Sequence, residues 1–117
     1  MITAGDYLKK AHELASDGQH THALKQALQA LSLAPDSIPA QELYAQLLGT
    51  TEQFPETIVA CSRLLTLDPE NLKAFLFRGF AYYMQEQDEA AIADFEKALT
   101  LSPDHKMAKR LLDELKG

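Results

Sequence analysis

The chain is predicted to be all-α, a superhelical solenoid of three antiparallel helix pairs closed by a capping helix, in a single domain over residues 1–117. Three observations predict it. Pro35, Pro69 and Pro103 stand 34 residues apart, and a fixed period of that length marks stacked copies of one small unit. Residues of matching size keep the same interval: Ala11, Ala45 and Gly79; Leu14, Leu48 and Tyr82; Leu24, Ile58 and Ile92; Leu33, Leu67 and Leu101. Inside each unit the apolar residues recur at helical spacing.

The units run over about 4–37, 38–71 and 72–105, with the cap over about 104–116. The third is the clearest. Phe75, Gly79 and Tyr82 fall at i, i+4 and i+7, on one helix face. Gln85, Glu86 and Gln87 form a polar break, after which Asp88 suits an N-cap. Ala91, Ile92, Phe95, Ala98 and Leu99 make the stripe of a second helix. Pro103 stops that helix, because it lacks an N–H and pushes Ser102 toward an extended conformation. The earlier units follow the same plan. Asp17-Gly18 breaks the first pair, Ser37 and Asn71 are placed to cap the next leading helices, and Pro39 and Pro55 fall in first turns, where a missing N–H costs nothing.

The small residues Ala11, Ala45 and Gly79 are expected to face larger ones such as Phe95, so that paired helices can approach closely. A leucine at Gly79 or Ala45 overpacks that crossing, at about 1–3 kcal/mol. In the last segment Met107, Ala108, Leu111, Leu112 and Leu115 form one apolar side, while Lys106, Lys109 and Arg110 face solvent. A helix of this kind closes the open end of a stack.

Composition narrows the function. A net charge of −6 argues against nucleic acid or an anionic membrane as main partner, since phosphate binding needs a dense basic surface. No run of apolar residues is long enough for a membrane span, and the first residues lack the basic start and apolar core of a secretory signal. A cytoplasmic location is therefore expected. Cys61 is the one cysteine, in a slot filled elsewhere by Ala27 and Phe95, and reads as a small buried residue. Charge is uneven: six acids and one base, Arg63, between Asp36 and Glu70, against four bases and three acids from Asp104 onward. Enzyme chemistry is not expected. His20 and His22 sit at i, i+2 and point to different faces, and His12 and His105 stand alone. No phosphate loop or nucleophile–base set stands out, Asp88, Glu89, Asp94 and Glu96 read as a solvated helix face, and no cofactor or metal is expected.

The third unit carries Phe75, Gly79, Tyr82, Ala91, Phe95, Ala98 and Pro103 in the order and spacing that resemble the tetratricopeptide repeat, with Arg78 where that family usually has leucine. The first unit supplies Tyr7, Ala11, Leu14, Ala23, Ala27, Ala30 and Pro35, with Lys10 in place of the leucine. The second keeps Ala45, Leu48 and Pro69 but has Gln41, Thr57 and Cys61 at three signature slots. The resemblance spans residues 4–105 and implies a non-catalytic protein-binding module, a scaffold or adaptor. Its leading helices would line a concave groove for a partner's peptide or helix.

Mapped onto this chain, the resemblance implies a groove lined by Leu8, His12, Ala15 and Ser16, then Glu42, Gln46 and Thr50, then Lys73, Leu76, Phe80, Tyr83 and Met84. The third set puts Lys73, Leu76, Phe80 and Tyr83 on one stripe. Either the stripe is open and holds an apolar or aromatic segment of a partner, or the capping helix and the second unit cover it. The fold has reason to cover it, because burying an aromatic side chain is worth about 1.5–3 kcal/mol. Part of the family grips a C-terminal carboxylate with two Lys, two Asn and an Arg. The matching places here hold Leu8, His12, Leu43, Lys73 and Phe77, so only Lys73 agrees and that mode is not expected. The competing expectation is structural: a homodimer formed through the third-unit apolar surface, or a place within a larger scaffold.

Overall fold

The computed structural model describes residues 1–117 as seven α-helices and no strands. They are α1 (Ala4–Ser16), α2 (His20–Leu33), α3 (Ile38–Thr50), α4 (Phe54–Leu67), α5 (Leu72–Met84), α6 (Asp88–Leu101) and α7 (Lys106–Lys116). Helices α1/α2, α3/α4 and α5/α6 are antiparallel pairs, stacked in order with α7 against α6. The stack measures 52 × 26 × 24 Å, so each pair meets only its neighbours and the core is divided into three clusters.

Two turns, each repeated at 34 residues, build this shape. Between units, Ala34, Asp68 and Ser102 accept from the N–H of Ser37, Asn71 and His105. Pro35, Pro69 and Pro103 set the first central residue of these turns, since proline fixes φ near the value needed there. The turn's last residue then caps the next helix. Ser37 accepts from the N–H of Ala40, Asn71 from that of Ala74, and His105 through Nδ1 from that of Ala108. His105, solitary in the sequence, is thus the third cap of one series.

Within each pair the leading helix ends in a left-handed residue: Gly18 (φ 79°), Glu52 (φ 60°) and Glu86 (φ 59°). The next amide reaches back to Leu14, Leu48 and Tyr82, which closes the leading helix in a Schellman motif. This motif corrects the expected cap at Asp88. The turn consumes residues 86 and 87, Gln87 occupies the N-cap position without a side-chain bond, and Asp88 is the first helical residue. There its carboxylate, with that of Glu89, favours the positive end of the helix dipole. Glutamate is strained at a φ that glycine adopts freely. Glu86→Gly is expected to raise stability by about 1 kcal/mol in urea unfolding, with no change in helix content.

The small-against-large crossing is present in the third unit, while in the first two units the place of Phe95 is taken by the small residues Ala27 and Cys61. A Cβ on Gly79 would lie 2.8 Å from Cε1 of Phe95, which is fully buried. In the second unit Ala45 shares a cluster with Cys61, and in the first Ala11 shares one with Ala27. Burial pushes the Cys61 thiol up to about 12, so it stays protonated and unreactive at neutral pH.

Asp94 corrects the expectation of a solvated acidic face. It is 4% exposed and accepts two hydrogen bonds of 2.8 Å from Nε and Nη2 of Arg78. Arg78 also donates to Ser62 at 3.1 Å and lies over the rings of Phe75 and Tyr82. The hydrogen bond to Asp94 raises the guanidinium above its ordinary value, so Arg78 stays charged. The departure from leucine at this slot is therefore one half of a buried ion pair.

Candidate binding groove

The leading helices α1, α3 and α5 carry two hollows along one side. The larger, about 420 Å³, lies between α3, α5 and the start of α7. Leu76, Phe77, Phe80 and Met107 make its apolar lining, and Gln46, Thr50 and His105 its polar rim. The smaller, about 250 Å³, lies between α1 and α3 and is lined by His12, Ala15, Ser16, His20, Gln46 and Thr50 among others. Gln46 and Thr50 belong to both. The two hollows therefore form one trough, polar toward α1 and apolar toward α5.

The expected stripe on α5 is largely covered. Leu76 is only 7% exposed, because Ala108 and Leu111 of α7 close over it. Phe80 is half-buried, edge-on to Phe54 and stacked on Tyr83, with ring centroids 6.3 Å apart in each pair. The Tyr83 hydroxyl donates to Glu114 of α7 at 2.7 Å, and this bond raises its pKa above the ordinary phenol value. Both expected covers, the capping helix and the second unit, contribute. Phe80 keeps an edge on the trough, whereas Tyr83 and Met84 line a separate shallow hollow with Glu86 and Asp88.

The remaining residues divide. His12 and Gln46 are exposed and line the trough. Leu8 lies outside both hollows, half-buried against the first core cluster. Glu42 is held away from them by Asn71, which donates to it at 2.8 Å, and by Lys73 at 3.9 Å. Lys73 thus faces a carboxylate of its own chain. Leu43 is buried and Phe77 packs on the core of the second unit, so neither place offers a donor to an incoming carboxylate.

His20 was not expected in the trough. It lines the smaller hollow, and its Nδ1 is shielded from solvent without a hydrogen-bond partner. His105 and Met107 were likewise not expected in the trough. The 34-residue period could have found Met107, because it stands where Lys73 stands one unit earlier. No three His, Cys, Asp or Glu side chains come close enough to hold a metal ion, and no helix is long and apolar enough to cross a membrane.

A family model described as tetratricopeptide repeat matches residues 72–105, the unit of α5 and α6. The Arabidopsis OM64 tetratricopeptide domain superposes with a TM-score of 0.93 at 25% identity, covering 96% of this chain and 93% of that one. The chain belongs to the tetratricopeptide-repeat family. The first such domain of Spaghetti (RPAP3), bound to the HSP90 peptide SRMEEVD, has the same fold, with a TM-score of 0.93 at 20% identity over 97% of this chain and 90% of that one. In sequence, mouse sperm-associated antigen 1 is 31% identical over 106 residues, which is 91% of this tetratricopeptide chain and 12% of that protein. The chain spans between 12% and 22% of the length of the first curated relatives it matches.

Proposed function

We propose that this tetratricopeptide stack is a non-catalytic interaction module, one domain over 1–117 with units at about 4–37, 38–71 and 72–105, whose trough takes a segment of a partner protein. The observation that carries the reading is the continuity of the two hollows through Gln46 and Thr50, with an apolar end at Leu76, Phe80 and Met107. A large apolar side chain of the partner fills the apolar end. The partner's backbone or a polar side chain bonds Gln46, Thr50 and His12, which are exposed in the trough. Leu8, Glu42, Lys73, Tyr83 and Met84 lie outside the two hollows and meet only those parts of the partner segment that extend beyond them.

RPAP3 holds a peptide ending in Glu-Glu-Val-Asp in the same fold. A terminal carboxylate would find Leu8, His12, Leu43, Lys73 and Phe77 here, with Lys73 already beside Glu42. Desolvating a carboxylate needs several donors. The partner segment is therefore internal and apolar rather than a free acidic tail. A net charge of −6 weighs against nucleic acid, and a single unpaired thiol is ordinary for a cytosolic chain. Self-association through the third-unit stripe is the weaker reading, because α7 already covers Leu76 and engages Tyr83.

Affinity capture followed by mass spectrometry tests the trough, with Phe80→Ser and Gln46→Ala beside the unaltered chain. The expected result is a loss of about tenfold or more in recovery of the same partner by both variants, with no binding of SRMEEVD peptide to any of them. Unchanged recovery by both variants with intact helicity, or tight binding of the acidic peptide, overturns it.

A further inference from the structure

A second surface, which shares no lining residue with the trough, lies along α4. Apart from Met1, Ile2 and Met84, every exposed large apolar residue lies on α2 or α4: Leu28, Leu33, Val59 and Leu67. Val59 is 60% exposed. Two adjoining hollows, of about 370 and 280 Å³, run along α4, and both are lined by Tyr44, Ala60 and Arg63. The hollow is open because of what occupies two repeat positions. At the third unit's seam Arg78 and Asp94 fill the space with their ion pair. One period earlier the same positions hold Tyr44 and Ala60, and a methyl group does not fill what an aspartate fills.

Along this side of α4 the charges are ordered. Glu56 stands three residues before Val59, and Arg63 three residues after Ala60. All four line one hollow, and both charged side chains are exposed without an ion pair in the chain. We infer that this face binds a second copy of the chain through an antiparallel pairing of the two α4 helices. A two-fold axis at the Val59–Ala60 step sets Glu56 of each copy beside the partner's Arg63, because the two charges are equally far from the axis. An isologous contact needs such self-complementarity. Ala60 lets the helices approach, and each Val59 enters the hollow over the partner's Tyr44. The apolar residues drive association, and the two Glu–Arg pairs set its register, since exposed ion pairs contribute little to affinity.

Analytical ultracentrifugation from about 10 μM to about 1 mM reads the equilibrium across the range of modest affinities. The unaltered chain is expected to pass from monomer to dimer. Arg63→Glu and Glu56→Arg, each placing like charges together, are expected to weaken the dimer at least tenfold, and the double exchange to restore it. Both positions are exposed, and circular dichroism verifies that the variants remain folded. Phe80→Ser leaves this equilibrium unchanged, which separates it from the trough. A monomer at every concentration, a dimer indifferent to both single reversals, or a double exchange that fails to rescue overturns the inference.

Discussion

Arg78→Leu, which installs the residue usual for the family, is expected to destabilise this chain by about 3–5 kcal/mol. Asp94 is almost fully buried between α5 and α6, and both its hydrogen bonds of 2.8 Å come from Arg78. Leucine would fill the space but leave a carboxylate in an apolar seam without a donor. The same substitution also removes the bond to Ser62 of α4 and two ring contacts, so the second and third units loosen together. Arg78→Leu with Asp94→Ala is expected to recover most of the loss, because a buried pair replaced whole by apolar groups is often neutral. Chemical denaturation of the two single variants and the double variant measures the coupling. Additive costs would refute the account, since they would mean that the two residues act separately.

Phe95→Ala is expected to cost about 3–5 kcal/mol and to lower the melting temperature by more than about 10 °C. Phe95 is the largest fully buried side chain, and its ring lies against Gly79 and under the residues that seat α7. Its loss opens a cavity where the third pair and the cap meet. The close approach also makes the two sites interdependent. Gly79→Ala places a methyl 2.8 Å from the Phe95 ring and is expected to destabilise the unaltered chain. In the Phe95→Ala background the ring contact is gone and only the 3.2 Å approach to Cβ of Asp94 remains, so the cost should fall and the alanine's advantage over glycine inside a helix, up to about 1 kcal/mol, should offset it. Calorimetry on the four proteins measures the difference. A Gly79→Ala cost of the same size in both backgrounds would exclude contact with the Phe95 ring as the cause.

Most of the fold was legible because its determinants are local and repeated. Pro35, Pro69 and Pro103 each set a turn, Ser37 and Asn71 each cap the following helix, and the small crossing residues recur at a fixed step. The misreadings concern partners outside that local frame. Asp94 looked like surface because its neighbours Glu89, Glu96 and Lys97 are surface; its partner lies 16 residues away on another helix. Asp88 missed the cap by one residue because the Schellman turn takes two positions after Gln85.

The trough was legible only as a set of helix faces. Position along α1, α3 and α5 picked out His12, Gln46, Thr50, Leu76 and Phe80, all of which line it. Nothing in the same reasoning could say that α7 closes over Leu76, that Glu114 takes the Tyr83 hydroxyl, or that His20 turns its ring into the smaller hollow.

The amino-acid sequence by itself determined the repeat length, the helix pairs and most of their turns, because each follows from residue types at short, recurring separations. Tertiary structure alone decided which apolar faces stay open. Openness depends on the sizes of side chains that meet across helices, as when Ala60 leaves a hollow that Asp94 and Arg78 fill one unit later. Such distances are a property of the stack and of no single segment.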